Sequence, residues 1–258
     1  MMIEGRNPAF GTFVSEVPLV STVRIAAAAG AEFIVFDGEH GLIELGDLRP
    51  AIAMCTSLGI DAIVRISDIE SPLLAQALDS GARGILAPNI ETPEQALRLV
   101  ERSFFPPMGR RGASFGSSQD GYAGGSLADK IEKANKTTLV ICMIESPLGA
   151  DNVEEIVAVP GIAGCWFGYV DFSLFAGIPG QIEHPLVIDA ATRVGAACSQ
   201  RNKMAGVMTT SAAHLASYIS QQFNLFAWGS DSFVLREGMR SGIGLCRDAL
   251  HAARPPIK

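Results

Sequence analysis

Short apolar runs alternate with longer amphipathic stretches along the whole chain. Eight runs have strand character: GTFVS (11–15), FIVFD (33–37), DAIVRIS (61–67), GILAPNI (84–90), TTLVICMIE (137–145), GCWFGYVD (164–171), KMAGVMTT (203–210) and LFAWGSD (225–231). Several keep apolar residues on successive positions, as strands of a parallel sheet covered on both faces do. Between them lie helical patterns such as LGDLRPAIAMCTSLG, TPEQALRLVERSF and SAAHLASYISQQ. Gly30, Gly59 and Gly81 each stand where such a pattern stops just before the next strand, the place of a helix-terminating glycine.

Eight such alternations in about 250 residues predict a closed (β/α)8 TIM barrel. An open doubly wound sheet would show the same rhythm, but GxGxxG is missing. Residues 106–136, rich in Gly and Ser, are longer than a simple connection and are expected to be a functional or mobile loop. No other shift in composition marks a boundary, so residues 1–258 are expected to form one domain.

Composition narrows the function classes. The formal net charge of −7, without a dense Lys/Arg run, argues against nucleic acid and against an anionic membrane surface. Hydrophobic residues make up 48%, enough for one large core, yet no apolar segment approaches the roughly 20 residues of a membrane span. Cys55, Cys142, Cys165, Cys198 and Cys246 are odd in number and contain no CxxC, as expected for free thiols. With no secretory pattern at the N-terminus, the expected location is the cytoplasm.

In a parallel barrel the strand C-termini share one face, where catalytic groups gather. The polar residues at those ends are Asp37, Glu39 and His40, then Arg65, Asn89, Glu145, Asp171 and Asp231. Glu145 and Asp171, from neighbouring strands, make a hard oxygen pair suited to Mg²⁺ or Mn²⁺; helix capping or rim charge pairing would explain them equally. Arg65 inside AIVRIS needs a partner, and either a bound carboxylate or enolate oxygen or an ion pair with Asp37 or Glu39 would serve. His40, three residues after Asp37, is a candidate acid/base whose tautomer a carboxylate would fix. In GSDSF, anion binding competes with helix capping by Ser230 or Asp231, and capping is preferred. GSSQDGYAGGS has no P-loop lysine and reads as flexible backbone. No lysine stands at the C-terminal end of a strand, which disfavours Schiff-base chemistry.

Taken in order, FIVFDGEHG, AIVRISD, ALDSGARGILAPNIETPEQA, FFPPMGRRGAS, MIES, GCWFGYVDFS, HPLV and FAWGSD resemble the HpcH/HpaI aldolases, the class II pyruvate aldolases, over nearly the whole chain. The resemblance implies a TIM barrel of the phosphoenolpyruvate/pyruvate-domain type, assembled as a homohexamer that exchanges its C-terminal helix. It implies Glu145 and Asp171 as ligands of a divalent metal (Mg²⁺, Mn²⁺ or Co²⁺), His40 with Asp37 as the acid/base pair, Arg65 as the enolate-binding cation, and Asp79 as a residue lent to an adjacent subunit. Two departures fall on the substrate pocket: Met143 stands where the family commonly has Gln, and Tyr169 and Val170 stand where it has Pro and a small residue. The implied activity is metal-dependent carbon–carbon cleavage of a 4-hydroxy-2-oxo acid to pyruvate, or a related 2-oxo acid, and an aldehyde. The departures leave open enolate chemistry on another donor, such as an acyl-CoA, and an oxo-acid-binding barrel without turnover.

Overall fold

The computed structural model describes residues 8–253. Strands β1 (Ala9–Val14), β2 (Phe33–Asp37), β3 (Asp61–Arg65), β4 (Gly84–Ala87), β5 (Leu139–Ile144), β6 (Gly164–Phe167), β7 (Met204–Thr209) and β8 (Leu225–Ser230) close a parallel barrel in sequence order, β8 pairing with β1. Helices α1 (Val20–Ala28), α2 (Leu45–Leu58), α3 (Leu73–Asp79), α4 (Pro93–Ser103), α5 (Leu127–Thr137), α6 (Pro147–Asp151), α7 (Val153–Ala158), α8 (Tyr169–Phe175), α9 (Pro185–Ser199), α10 (Ala212–Ser220) and α11 (Asp231–Ala253) complete it. The expected (β/α)8 barrel is therefore the fold.

Strand alternation divides the apolar residues into two cores. Phe13, Phe33, Val35, Ile63, Leu86, Leu139, Ile141, Met143, Trp166 and Leu225 point inward and fill the barrel. The Trp166 ring meets Phe13 edge-on, with centroids 5.5 Å apart, and a side chain at Gly206 would collide with the indole. Residues of opposite parity, among them Ile34, Phe36, Val64, Ile85, Val140 and Phe167, pack outward under the helices. Each fully buried side chain of this kind contributes roughly 1.5–3 kcal/mol. This parity places the site: Asp37, Arg65 and Glu145 continue the inward series of their strands past the end of the apolar fill.

Local signals set the helix ends. Thr92 accepts the Gln95 N–H while the Gln95 side chain returns to the Thr92 N–H, a capping box with Pro93 in the first turn. Gly59 ends α2 at φ 70°, and Gly30 and Gly81 also take positive φ, as the sequence predicts.

Two expectations change, and the last helix adds a finding. β6 stops at Phe167, because the chain turns at Gly168 (φ −93°, ψ 73°) directly into α8; Asp171 thus lies in the first turn of a helix instead of ending a strand. Residues 106–136 are not all loop: α5 starts at Leu127, and a single 3₁₀ turn covers Ser118–Asp120, whose Asp120 carboxylate is held by Lys130 at 2.5 Å and by the Gly116 and Ser117 N–H groups. α11 buries none of its residues. Its Leu235, Met239 and Ile243 are exposed, and so are Phe10 of β1 and Trp228 of β8.

No helix among the described residues is long and apolar enough to cross a membrane. Cys55, Cys142, Cys165 and Cys198 are free and buried, and Cys246 is free and exposed.

Candidate active site

Asp37 and Arg65 end neighbouring strands in direct register, so their side chains meet as a fork. Arg65 Nε donates to Asp37 Oδ1 at 2.9 Å and Nη2 to Oδ2 at 2.7 Å, with the side chains 10% and 5% exposed. Arg65 Nη1 lies 3.1 Å from Glu39 Oε2, and the guanidinium sits 5.5 Å from the Phe13 ring centroid. Of the two roles open to Arg65 on sequence grounds, the ion pair is present in this structure. Nη1 also lies 4.0 Å from the Met143 sulfur.

The Asp37 carboxylate is heavily subscribed. Besides Arg65 it accepts the backbone N–H groups of Glu39 (3.1 Å) and His40 (3.2 Å) and the Ser15 hydroxyl (3.3 Å). Burial alone would push its pKa up, but the hydrogen bonds and charge of Arg65, with the two N–H groups, hold it below the usual value. The expected contact between Asp37 and the His40 ring is absent: Asp37 binds the backbone of His40, and the ring, 67% exposed, faces Glu39, with Nε2 3.6 Å from Oε2. The tight turn after β2 folds the His40 N–H back onto Asp37 and sends the imidazole outward.

Glu145 is buried one residue beyond β5. Its Oε1 accepts the Asn89 N–H at 2.7 Å, a contact available because Asn89 takes φ 55°. Burial first, then the charges of Asp171 and Glu39, push its pKa up to about 7 against the Asn89 N–H and Arg65. Glu39 is likewise raised, chiefly by burial, with Asp37 and Asp171 adding to the effect. Gly168 packs against this carboxylate: a Cβ there would stand 2.8 Å from Glu145 Oε2 and 2.8 Å from Met143 Cε. Asp37, Glu39 and Glu145 thus share the charge of Arg65, and Asp171 adds a further negative charge beside Glu39 and Glu145. A mouth with surplus negative charge carried by carboxylate oxygens fits a hard divalent ion. Among the described residues no group of three or more His, Cys, Asp or Glu side chains is arranged as a metal site. Two protein carboxylates would leave the remaining positions to water and substrate.

Other expected residues fall elsewhere. Tyr169 is not in the mouth: as the first residue of α8 its ring turns into the outer core, 6.1 Å from the Tyr218 ring. Val170 is exposed on the same turn, and Met143 forms the floor beside Arg65. Asp79 ends α3, where the chain turns back to begin β4, at the barrel end opposite the mouth. Arg111 holds it at 2.7 Å. Asp231 accepts the N–H groups of Ser15, Glu16 and Val17, and Ser230 accepts the Phe233 N–H, so capping and loop anchoring account for GSDSF. Lys203 sits at the far end with its ammonium on the Val157 and Val159 carbonyls, away from the mouth. Sequence reasoning placed Asn89 at this mouth but not its backbone role toward Glu145, and it missed Ser15 and Gly168, the latter acting through its lack of a side chain.

Comparison with known proteins places the chain among named relatives. The family model described as HpcH/HpaI aldolase/citrate lyase matches residues 15–238. A protein of Salmonella arizonae named 5-keto-4-deoxy-D-glucarate aldolase is 30% identical over 217 residues, 84% of each chain. The solved structure of an HpcH/HpaI aldolase/citrate lyase family protein from Burkholderia cenocepacia is 30% identical with a TM-score of 0.86, covering 93% of this chain and 95% of that one. The structure named citrate synthase SbnG is 25% identical with a TM-score of 0.83, covering 94% of each chain.

Proposed function

The chain belongs to the HpcH/HpaI aldolase/citrate lyase family, and from that premise we propose that it is a class II aldolase, a carbon–carbon lyase that reversibly cleaves a 4-hydroxy-2-oxo acid to pyruvate, or a related 2-oxo acid, and an aldehyde. The observation that carries the reading is the convergence of a buried, charge-stressed Glu145 and a pre-organised Arg65 on one barrel mouth that also presents Asp171 and His40.

Glu145 and Asp171 would hold a divalent ion, Mg²⁺, Mn²⁺ or Co²⁺, which when bound supplies Lewis-acid polarisation of the substrate oxo group. His40 would take the proton of the C4 hydroxyl. As that O–H bond breaks, its electron pair forms the aldehyde carbonyl, the C3–C4 bond opens, and its pair passes to C3 and the 2-oxo oxygen as an enolate. Arg65, immobilised by Asp37, would set its positive charge beside that developing negative charge. Protonation at C3 then gives the 2-oxo acid.

The test is pyruvate release from a panel of hydroxy-oxo acids. EDTA should abolish release and Mg²⁺, Mn²⁺ or Co²⁺ should restore it, while borohydride with substrate should trap no adduct; a trapped lysine adduct overturns the reading. A second reading, enolate chemistry on another donor such as an acyl-CoA, is supported by the likeness to the protein named citrate synthase and by Met143 beside Arg65. Thiol release from acyl-CoA with no oxo-acid cleavage would favour it.

The same reading makes residues 1–258 one barrel domain in a homohexamer that exchanges α11. Its support is two uncovered apolar surfaces, Leu235, Met239 and Ile243 on α11 and Phe10 and Trp228 on the outer face of β1 and β8. Free buried thiols support a cytoplasmic location.

A further inference from the structure

We propose that Ser15 and Asp231 are positioning residues for the turn that carries His40, Ser15 by clasping both ends of that turn and Asp231 by fixing Ser15. The assignment deepens the aldolase reading and rests on it for the role of His40. Ser15 follows β1 and is engaged on three sides by three separate parts of the chain. Its N–H donates to Asp231 Oδ1 at 3.1 Å, its hydroxyl donates to Asp37 Oδ2 at 3.3 Å, and its carbonyl accepts the Leu42 N–H at 2.9 Å. Asp37 and Leu42 bracket Gly38, Glu39, His40 and Gly41, so a single residue of the β1 loop sets the span of the whole turn. The packing is close: a Cβ at Gly41 would stand 2.7 Å from the Ser15 carbonyl oxygen and would also run into the Asp37 carbonyl.

Ser15 is held in turn from its other side. The Asp231 carboxylate accepts the N–H groups of Ser15 and Ser232 on Oδ1, at 3.1 and 2.9 Å, and those of Glu16 and Val17 on Oδ2, at 3.1 and 2.7 Å. These donors fill the roughly four lone-pair sites of the two oxygens. An amide would keep one oxygen and set its NH2 group against one pair of N–H donors, so holding the loop in this form requires the carboxylate. The donors belong to the β1 loop and to the helix of Asp231 itself, so its route to the site is Ser15. Asp231 is also the first residue of α11, a helix that buries none of its residues. One carboxylate therefore carries the placement of α11 into the turn beside Arg65. Glu145 follows β5 and Asp171 lies in α8, so the clasp leaves the proposed metal ligands untouched.

The experiment compares Asp231→Asn, Asp231→Glu, Ser15→Ala and the Ser15→Ala/Asp231→Asn double variant with the parent enzyme. It reads kcat and KM for pyruvate release with Mn²⁺, Mn²⁺ affinity by calorimetry, and amide hydrogen exchange over residues 37–42 by mass spectrometry. Asp231→Asn should lower kcat by roughly 10- to 100-fold, the scale of a misplacement of about 1 Å, with KM and Mn²⁺ affinity each changed less than about threefold. It should also speed exchange over residues 37–42, and Asp231→Glu, which keeps both oxygens, should recover part of both effects. Ser15→Ala removes only the hydroxyl and should cost less in kcat. Because both residues act through one strut, the double variant should lose little more than Asp231→Asn alone. A kcat loss below about threefold in Asp231→Asn, a Mn²⁺ affinity that falls along with kcat, unchanged exchange over residues 37–42, or losses that multiply in the double variant overturns the assignment. The exchange readout needs no turnover, so a parent enzyme that cleaves no hydroxy-oxo acid would defeat the aldolase reading while the clasp is still decided.

Discussion

Replacing Asp37 with Ala tests how far the site rests on one ion pair. Arg65 is 10% exposed at its side chain and Asp37 5%, so the substitution leaves a guanidinium in the barrel mouth with Glu39, at 3.1 Å, as its remaining partner. Breaking a buried pair from one side costs about 3–5 kcal/mol. The freed N–H groups of Glu39 and His40 sit in a turn that water can reach, so they add little. A loss of about 4 kcal/mol in a chain of this size corresponds to a Tm lower by roughly 8–16 °C. Adding Arg65→Met removes the stranded charge, and the double variant should be more stable than Asp37→Ala alone, a coupling of at least about 2 kcal/mol. The pH dependence has a definite sign. Because the folded-state pKa of Asp37 is depressed, its contribution is complete above the ordinary carboxylate range and is lost as pH falls through the depressed value. The gap between parent and variant should therefore close in acid. Scanning calorimetry at one protein concentration, near neutral pH and in acid, measures all three quantities. A neutral-pH loss below about 1 kcal/mol, or additive single and double variants, would refute the reasoning.

Gly168→Ala should weaken Mn²⁺ binding by at least about tenfold in calorimetry, because the new Cβ would stand 2.8 Å from Glu145 Oε2; its overpacking cost should be about 1–3 kcal/mol. Glu145→Gln should abolish high-affinity Mn²⁺ binding yet raise the Tm of the metal-free protein at neutral pH. The sign follows from a carboxyl whose folded-state pKa is raised to about 7: the destabilisation builds up as pH rises from the ordinary Glu value to that pH and persists above it, so a neutral isostere removes it. Leu235→Asp with Met239→Asp should lower the oligomeric state in light scattering while circular dichroism of the barrel is kept, since both side chains are exposed on the single chain.

Much of the barrel is written in local pattern. The eight apolar runs and the glycines after α1, α2 and α3 depend on residues a few positions apart; a strand lies on each run, and each of those glycines takes positive φ. The end of β6 was not legible, because YVDFS is as compatible with a strand as with a helix. The turn at Gly168 decides it, and with it the burial of Tyr169 and the helical setting of Asp171.

For the site the division is similar. FIVFD, AIVR and MIE already carry the alternation that turns Asp37, Arg65 and Glu145 inward, because side-chain parity in a strand is local. Which charge meets which partner is a matter of distance between elements. Asp37 spends its acceptors on Arg65, 28 residues away, and on its own turn, leaving Glu39 opposite the imidazole. Glu145 is held by a backbone amide at Asn89, 56 residues earlier, which exists only because Asn89 takes positive φ. The sequence by itself determined a barrel with chemistry at one mouth, since periodicity and end signals are properties of short segments. Only the tertiary structure decided the pairing within that mouth, since hydrogen-bond capacity is shared among groups that meet only when the barrel closes.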